Sequence, residues 1–144
     1  MAHCEPSAHE VTLVDAGLEI LSEEECLQLL ETTRVGRVAI SMGAVAVVLP
    51  VNYAVVGGDV MYFTGEGVKL DAAAHGQAVS FEVDQIDPDG ECGWSVLVVG
   101  RAALAGVGAQ ARAEALGLYP WPAGLRHHLV RIRPELVSGR RVLS

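Results

Sequence analysis

Lysine is nearly absent from this chain: nine of its ten basic residues are arginine and the tenth is Lys69. Cysteine is scarce too. Cys4, Cys26 and Cys92 are odd in number and widely spaced, which excludes a disulfide-dense scaffold, offers no pair with zinc-ligand spacing, and fits a reducing cytosol. No uncharged apolar run reaches the roughly 18–20 residues of a membrane helix. The longest, Ile40 to Ala54, is interrupted by Ser41, Gly43, Pro50 and Asn52. Neither lysine nor arginine precedes Arg34, so the start lacks the basic region of a secretory signal, and the expectation is a cytoplasmic protein without a membrane partner. The net charge of −8 argues against nucleic acid, whose phosphates need a basic face. A local basic site for one small anion stays open.

What is present fits one mainly β domain. The 144 residues are 51% hydrophobic, enough to bury a core without staples. Residues 1–16 carry scattered polar groups, His3, Cys4 and His9 among them, without periodicity; they read as a flexible arm with no metal site, leaving 17–144 as the folded domain. Ser22-Glu23-Glu24-Glu25 is a capping box, and the apolar residues after it predict a short helix ending near Thr33. From Val35 the period changes to two. Strands are expected over Val35–Met42, Val45–Val55, Val60–Phe63, Ala78–Asp84, Trp94–Leu104, His128–Arg133 and Leu136–Arg141, the last two separated by Pro134. Short helices are expected at Val68–Ala74 and Ala109–Leu116. Gly57-Gly58 supplies a hairpin turn. Strands joined mostly by hairpins indicate a closed antiparallel barrel rather than a βαβ fold.

Three groups of residues could carry chemistry. Thr64, the backbone N–H groups near Gly67 and Val68, and Lys69 form a strand-turn-helix junction able to hold a phosphate, although Glu66 would repel one unless it points to solvent. A surface lysine without a role is an equal reading of the same spacing. Pro50 in mid-strand suggests an edge or an interrupted ladder, leaving backbone polar groups free beside Asn52, which suits a planar heteroaromatic ligand as well as it suits a simple bulge. Trp94, next to Ser95, and Trp121 could cover a flat ring, but tryptophan is more often core. No Ser/His/Asp or Cys/His set is discernible.

In order, Val35-Gly36-Arg37-Val38, Pro50-Val51-Asn52-Tyr53, Phe63-Thr64 with Lys69, Ser80-Phe81-Glu82-Val83-Asp84, Gly93-Trp94-Ser95-Val96 with Gly100, and Val137-Ser138-Gly139-Arg140 resemble the pyridoxamine 5′-phosphate oxidase-like family of flavin-binding split barrels. The resemblance runs from about Leu21 to Arg141. It implies a six-stranded antiparallel Greek-key split β-barrel with a few short helices, forming a homodimer with one flavin mononucleotide (FMN) in each of two grooves between subunits. It further implies that Leu49 to Tyr53 run along the isoalloxazine, with backbone groups of Pro50, Val51 and Asn52 at its polar edge. Phe63 and Thr64 would sit at the ribityl phosphate, Lys69 would pair with that phosphate, and Ser95, beside Trp94, would be a polar flavin contact. The implied activity is FMN-dependent oxidoreduction of an unidentified small molecule or electron donor. Relatives often place arginine where this chain has Phe63 and a second base where it has Val68, so a deazaflavin, a haem or an empty groove are the cofactor alternatives. The functional alternatives are a non-catalytic binding or storage protein and a cofactor-free regulatory dimer. The C-terminal arginine and histidine set that binds pyridoxal phosphate is missing, which excludes vitamin B6 oxidation as the expected reaction.

Overall fold

Separate runs of alternating apolar and polar residues between Val35 and Arg141 form the main strands. The computed structural model describes residues 12–13, 17–120 and 127–142. In chain order its elements are β1 (Thr12–Leu13), β2 (Leu18–Ile20), α1 (Glu23–Leu30), β3 (Val35–Met42), β4 (Val45–Asn52), β5 (Ala54–Val56), β6 (Asp59–Thr64), α2 (Val68–Ala74), β7 (Ala78–Ile86), β8 (Gly93–Leu104), α3 (Ala109–Ala115) and β9 (His128–Val142). All pairings are antiparallel, in the order β1-β2-β9-β8-β7-β3-β4, with β6 bonded to both β5 and β9. The sheet therefore has nine strands rather than the expected six. Six of them, β3, β4, β6, β7, β8 and β9, are long, and β1, β2 and β5 are short additions of two or three residues.

The sheet curls because β4 continues into β5, and β5 pairs with β6, which returns to β9 at the far side. Among the described residues no ladder joins β4 to β6, so a seam stays open between them. Inward-facing Val38, Ile40, Val51, Val79, Phe81, Val83, Val96 and Val98 fill the interior with Tyr62, Val130 and Ile132. Burial of this size class is the main stabilising term for a small barrel.

Local signals acted as the residues dictate. Ser22 caps α1, its hydroxyl accepting from the Glu25 N–H at 3.2 Å, although the helix stops at Leu30 rather than near Thr33. Gly57 and Gly58 both take positive φ between β5 and β6, as a tight hairpin requires. Pro134 did not divide the last strand. It sits opposite Gly100 within a continuous β9, and the register shifts between Val99 and Gly100 so that Glu135 is bulged out. Residues 133–138 have β8 on one side and neither β6 nor β2 on the other, so a proline there interrupts little pairing.

At the chain ends, Arg141 on β9 reaches two carboxylates, Glu19 at 3.2 Å and Glu25 at 3.7 Å, both buried. This ties β2, α1 and β9 together. Thr12 and Leu13, inside the span expected to be an arm, pair with Ile20 and Glu19; His3, Cys4 and His9 lie outside the described residues, as does Trp121. Cys26 is free and buried. Among the described residues no helix is long and apolar enough to cross a membrane.

Candidate functional site

The seam between β4 and β6 opens into a cavity of about 310 Å3 lined by Val35, Pro50, Val51, Asn52, Phe63, Lys69, Leu118 and Tyr119. Each wall has a sequence cause. Pro50 and Asn52 stand on β4, an edge strand paired only with β3; the ladder itself runs without a break through Arg37 and Pro50, so the proline is accommodated at an edge, and backbone polar groups along the outer side of β4 are not used by that ladder. Phe63 comes from β6 across the seam and Lys69 from the first turn of α2. The chain is turned into position at Tyr53. Its N–H donates to the Arg34 carbonyl at 2.9 Å, its hydroxyl donates to the Leu30 carbonyl at 2.5 Å and pairs with the Thr33 hydroxyl, and its ring meets Phe81 edge-on at 4.9 Å.

Lys69 forms no ion pair or hydrogen bond with any described residue, and burial pushes its ammonium below the usual lysine range. A half-buried cation without a counter-ion is costly in isolation and favours an anion brought from outside. Glu66 does not compete for that place; it is turned to solvent, 3.9 Å from His128.

Other expected site residues lie elsewhere. Thr64 is buried, with its hydroxyl donating to the Gly65 carbonyl at 3.2 Å, and does not line the cavity. Leu49 packs against the main core and Trp94 is part of it. Ser95 is half-buried opposite Asp84 and Arg140, away from this cavity.

A family model described as pyridoxamine 5′-phosphate oxidase matches residues 22–141. The chain belongs to this family. An uncharacterized Mycobacterium tuberculosis protein, Rv0080, is 33% identical over 129 residues, covering 86% of this chain and 85% of its own length. A solved FAD binding protein from Mycobacterium smegmatis is 36% identical with a TM-score of 0.72, over 87% of this chain and 98% of its own. A solved FAD-binding protein from Mesorhizobium loti is 27% identical with a TM-score of 0.71, over 87% of this chain and 98% of its own.

In this family member, two further features adjoin the seam. A second cavity, also about 310 Å3, shares Asn52, Leu118 and Tyr119 with the first and adds Arg34, Tyr53, Leu116, Gly117 and Pro120. On the outer face of the barrel, cross-strand registers align Pro50, Arg37, Glu82, Leu97 and Ser138 in one row and Val48, Ala39, Ser80, Val99 and Leu136 in the next. Val48 and Leu136 are more than half exposed there. Arg37 bonds Glu82 at 3.2 Å and Asp84 at 3.4 Å. Burial, then the hydrogen bond and charge of Asp84, push the Glu82 carboxyl up to about 7, against the opposing pull of Arg37.

Arg34, Val35 and Leu118 were not legible as site residues, whereas Tyr119 opens a loop expected to shape the pocket. A signal for Arg34 did exist: antiparallel pairing of Val35 with Asn52 places Arg34 beside Tyr53. Leu118 and Tyr119 arrive from a segment distant in sequence, and only the tertiary fold brings them to the seam.

Proposed function

We propose that this protein binds the flavin mononucleotide moiety of a flavin nucleotide at the β4/β6 seam and uses it as an oxidoreductase acting on a small molecule. The carrying observation is that an unpaired, partly desolvated lysine and the proline-bearing edge of β4 converge on one cavity. The residues fit the group. Lys69 supplies the charge for the ribityl phosphate, the free edge of Pro50 to Asn52 supplies backbone partners for the polar rim of the ring, and Val51 and Phe63 supply apolar wall. The FAD named for two solved relatives supports a flavin in this groove. When bound, the flavin supplies hydride or electron transfer, and the chain's own residues bind, orient and shield it.

The working unit we propose is a homodimer formed through the outer face. A cavity of about 310 Å3 is at the lower limit for a ligand site, and a groove open on one side is completed by a second wall. The exposed apolar rows at Val48, Leu97 and Leu136 suit an isologous contact. They run directly to Pro50 and Asn52, so a second copy seated there would border the groove and could bring its own Ser95 near it.

Titration with riboflavin, FMN and FAD, followed by flavin fluorescence and the visible spectrum, tests the reading. Saturable quenching and anaerobic bleaching of the bound flavin by a reduced nicotinamide are expected. Failure of all three flavins to bind would overturn it, and bound flavin that no electron donor reduces would assign a carrier or storage role instead.

A further inference from the structure

No described carboxylate lines either cavity at the seam, although the chain carries 18 acidic residues against 10 basic ones. Two other surface hollows are lined by Glu23, Glu24 and Glu31 and by Glu82 and Asp84. The Arg34 side chain lines the second cavity and makes no ion pair or hydrogen bond with a described residue. Arg37, Arg101, Arg131 and Arg141 are all matched with carboxylates; Arg112 and Arg133 are not matched with a described one, but they line neither cavity.

Arg34 is placed from two sides. Its carbonyl accepts the Tyr53 N–H at 2.9 Å, and its guanidinium lies over Gly117, where an added Cβ would stand 3.9 Å from Nη1. Gly117 itself, at φ 86°, ends α3: its N–H donates to the Glu114 carbonyl at 2.9 Å and the Leu118 N–H to the Ala113 carbonyl at 3.0 Å. That is a Schellman termination, and it turns the chain sharply out of the helix. Leu118 is held in a small core with Val56, Met61 and Ala113, so the next residue, Tyr119, is delivered to the rim of both cavities, 62% exposed. The Tyr53 hydroxyl is already engaged with Leu30 and Thr33, so this residue adds only wall. Asn52, whose side-chain amide bonds no described residue, stands between the cavities.

From this arrangement we propose that the Arg34 cavity holds the substrate, and that the substrate is a small planar carboxylate, an aromatic or conjugated acid. The inference rests on the flavin reading above: with the polar rim of the ring along Pro50 to Asn52, the second cavity begins at Asn52, beside the ring, whereas Lys69 lines only the first. The guanidinium fork of Arg34 matches the two oxygens of a carboxylate. Its single charge answers a monoanion, and among the described lining residues no second cation is there for a doubly charged phosphate. Tyr119 offers a π-face against which a flat molecule stacks. A volume of about 310 Å3 limits the occupant to a small ring system. A neutral compound of the same shape leaves Arg34 unanswered, so Arg34 sets the preference for acids.

Cinnamate and its neutral isostere cinnamamide probe the site on FMN-loaded protein, by calorimetry and by the visible spectrum of the flavin. Cinnamate is expected to bind at least about tenfold more tightly than the amide, the difference made by one charge-assisted contact, and to shift the flavin bands. Arg34→Ala should weaken cinnamate about tenfold to a hundredfold, with cinnamamide and FMN affinities unchanged, and Arg34→Lys should recover part of that loss. Tyr119→Ala should weaken acid and amide alike, about threefold to tenfold. Both side chains are exposed, and thermal melts check that the variants fold. Equal affinity for acid and amide, absence of cinnamate binding, or cinnamate affinity unchanged in Arg34→Ala would overturn the carboxylate site. Cinnamate bound without a shift of the flavin bands would overturn its place beside the ring. The flavin reading fails separately, as protein that takes up no FMN, and calorimetry with cinnamate on that ligand-free protein still decides the role of Arg34.

Discussion

Replacing Lys69 by alanine tests the phosphate contact proposed for it. In the free protein the ammonium is half-buried, lacks a carboxylate partner, and is held below the ordinary lysine range by burial. A phosphate placed against it gains a charge-assisted interaction worth about 1.5–3 kcal/mol, so Lys69→Ala should weaken FMN binding by about tenfold to a hundredfold. Riboflavin has the same ring and no phosphate, and its affinity should change by less than about twofold. The assay is paired fluorescence titration of both ligands at one ionic strength, since an exposed anion site would also respond to salt. The pH dependence has a fixed sign. A bound anion favours the protonated lysine and raises its pKa, so FMN affinity should fall as pH rises through the lowered pKa of the free protein toward the ordinary lysine value, while riboflavin affinity stays flat. In the absence of ligand the depressed pKa makes the charged lysine a stability cost at neutral pH, a cost relieved as pH rises; Lys69→Met should then raise the melting temperature of ligand-free protein. Equal weakening of FMN and riboflavin by Lys69→Ala would refute the phosphate role and make Lys69 a structural contact only.

Three further outcomes are expected. Glu82 is raised to about 7 from a usual 4.5, so its contribution to stability is full below pH 4.5 and is lost as pH climbs through 7; Glu82→Gln should flatten that slope in urea melts between pH 5 and 8, by about 1 kcal/mol once solvent screening at this part-exposed side chain is allowed for. At Gly100 an added Cβ would overlap the Arg133 carbonyl and crowd Ile132, so Gly100→Ala should destabilise by about 3 kcal/mol in equilibrium unfolding, the upper range of overpacking, because backbone rather than a flexible side chain must yield. Arg141→Ala leaves the buried Glu19 and Glu25 carboxylates without their cation and should cost about 3–5 kcal/mol by the same measurement; a loss under 1 kcal/mol would mean that water reaches the pair.

Much of the fold was legible because it is locally dictated. The period-two runs located the long strands, the capping box located α1, and Gly57-Gly58 located a hairpin, each through an interaction within a few residues of chain. The errors arose where a distant partner decided. Pro134 reads as a break, yet Gly100, more than thirty positions earlier, lacks the side chain that would block the bulge, and β9 passes through. At Gly36 a Cβ would meet the Phe81 ring, 2.6 Å from its Cε1, so the glycine makes room for an aromatic that arrives from β7.

The candidate site divides in the same way. Pro50, Asn52 and Lys69 announce themselves because each violates a local rule: a proline in a strand, a polar amide in an apolar run, a solitary lysine. Those violations converge on the seam that β4 and β6 leave open. Leu118 and Tyr119 violate nothing locally. They reach the seam only because the Schellman turn after α3 directs them there, and Arg34 only because Val35 pairs with Asn52. A sequence reading confined to neighbours therefore finds the half of the groove built on β4 and α2, while the half lined by Arg34, Leu118 and Tyr119 is assembled by tertiary contacts.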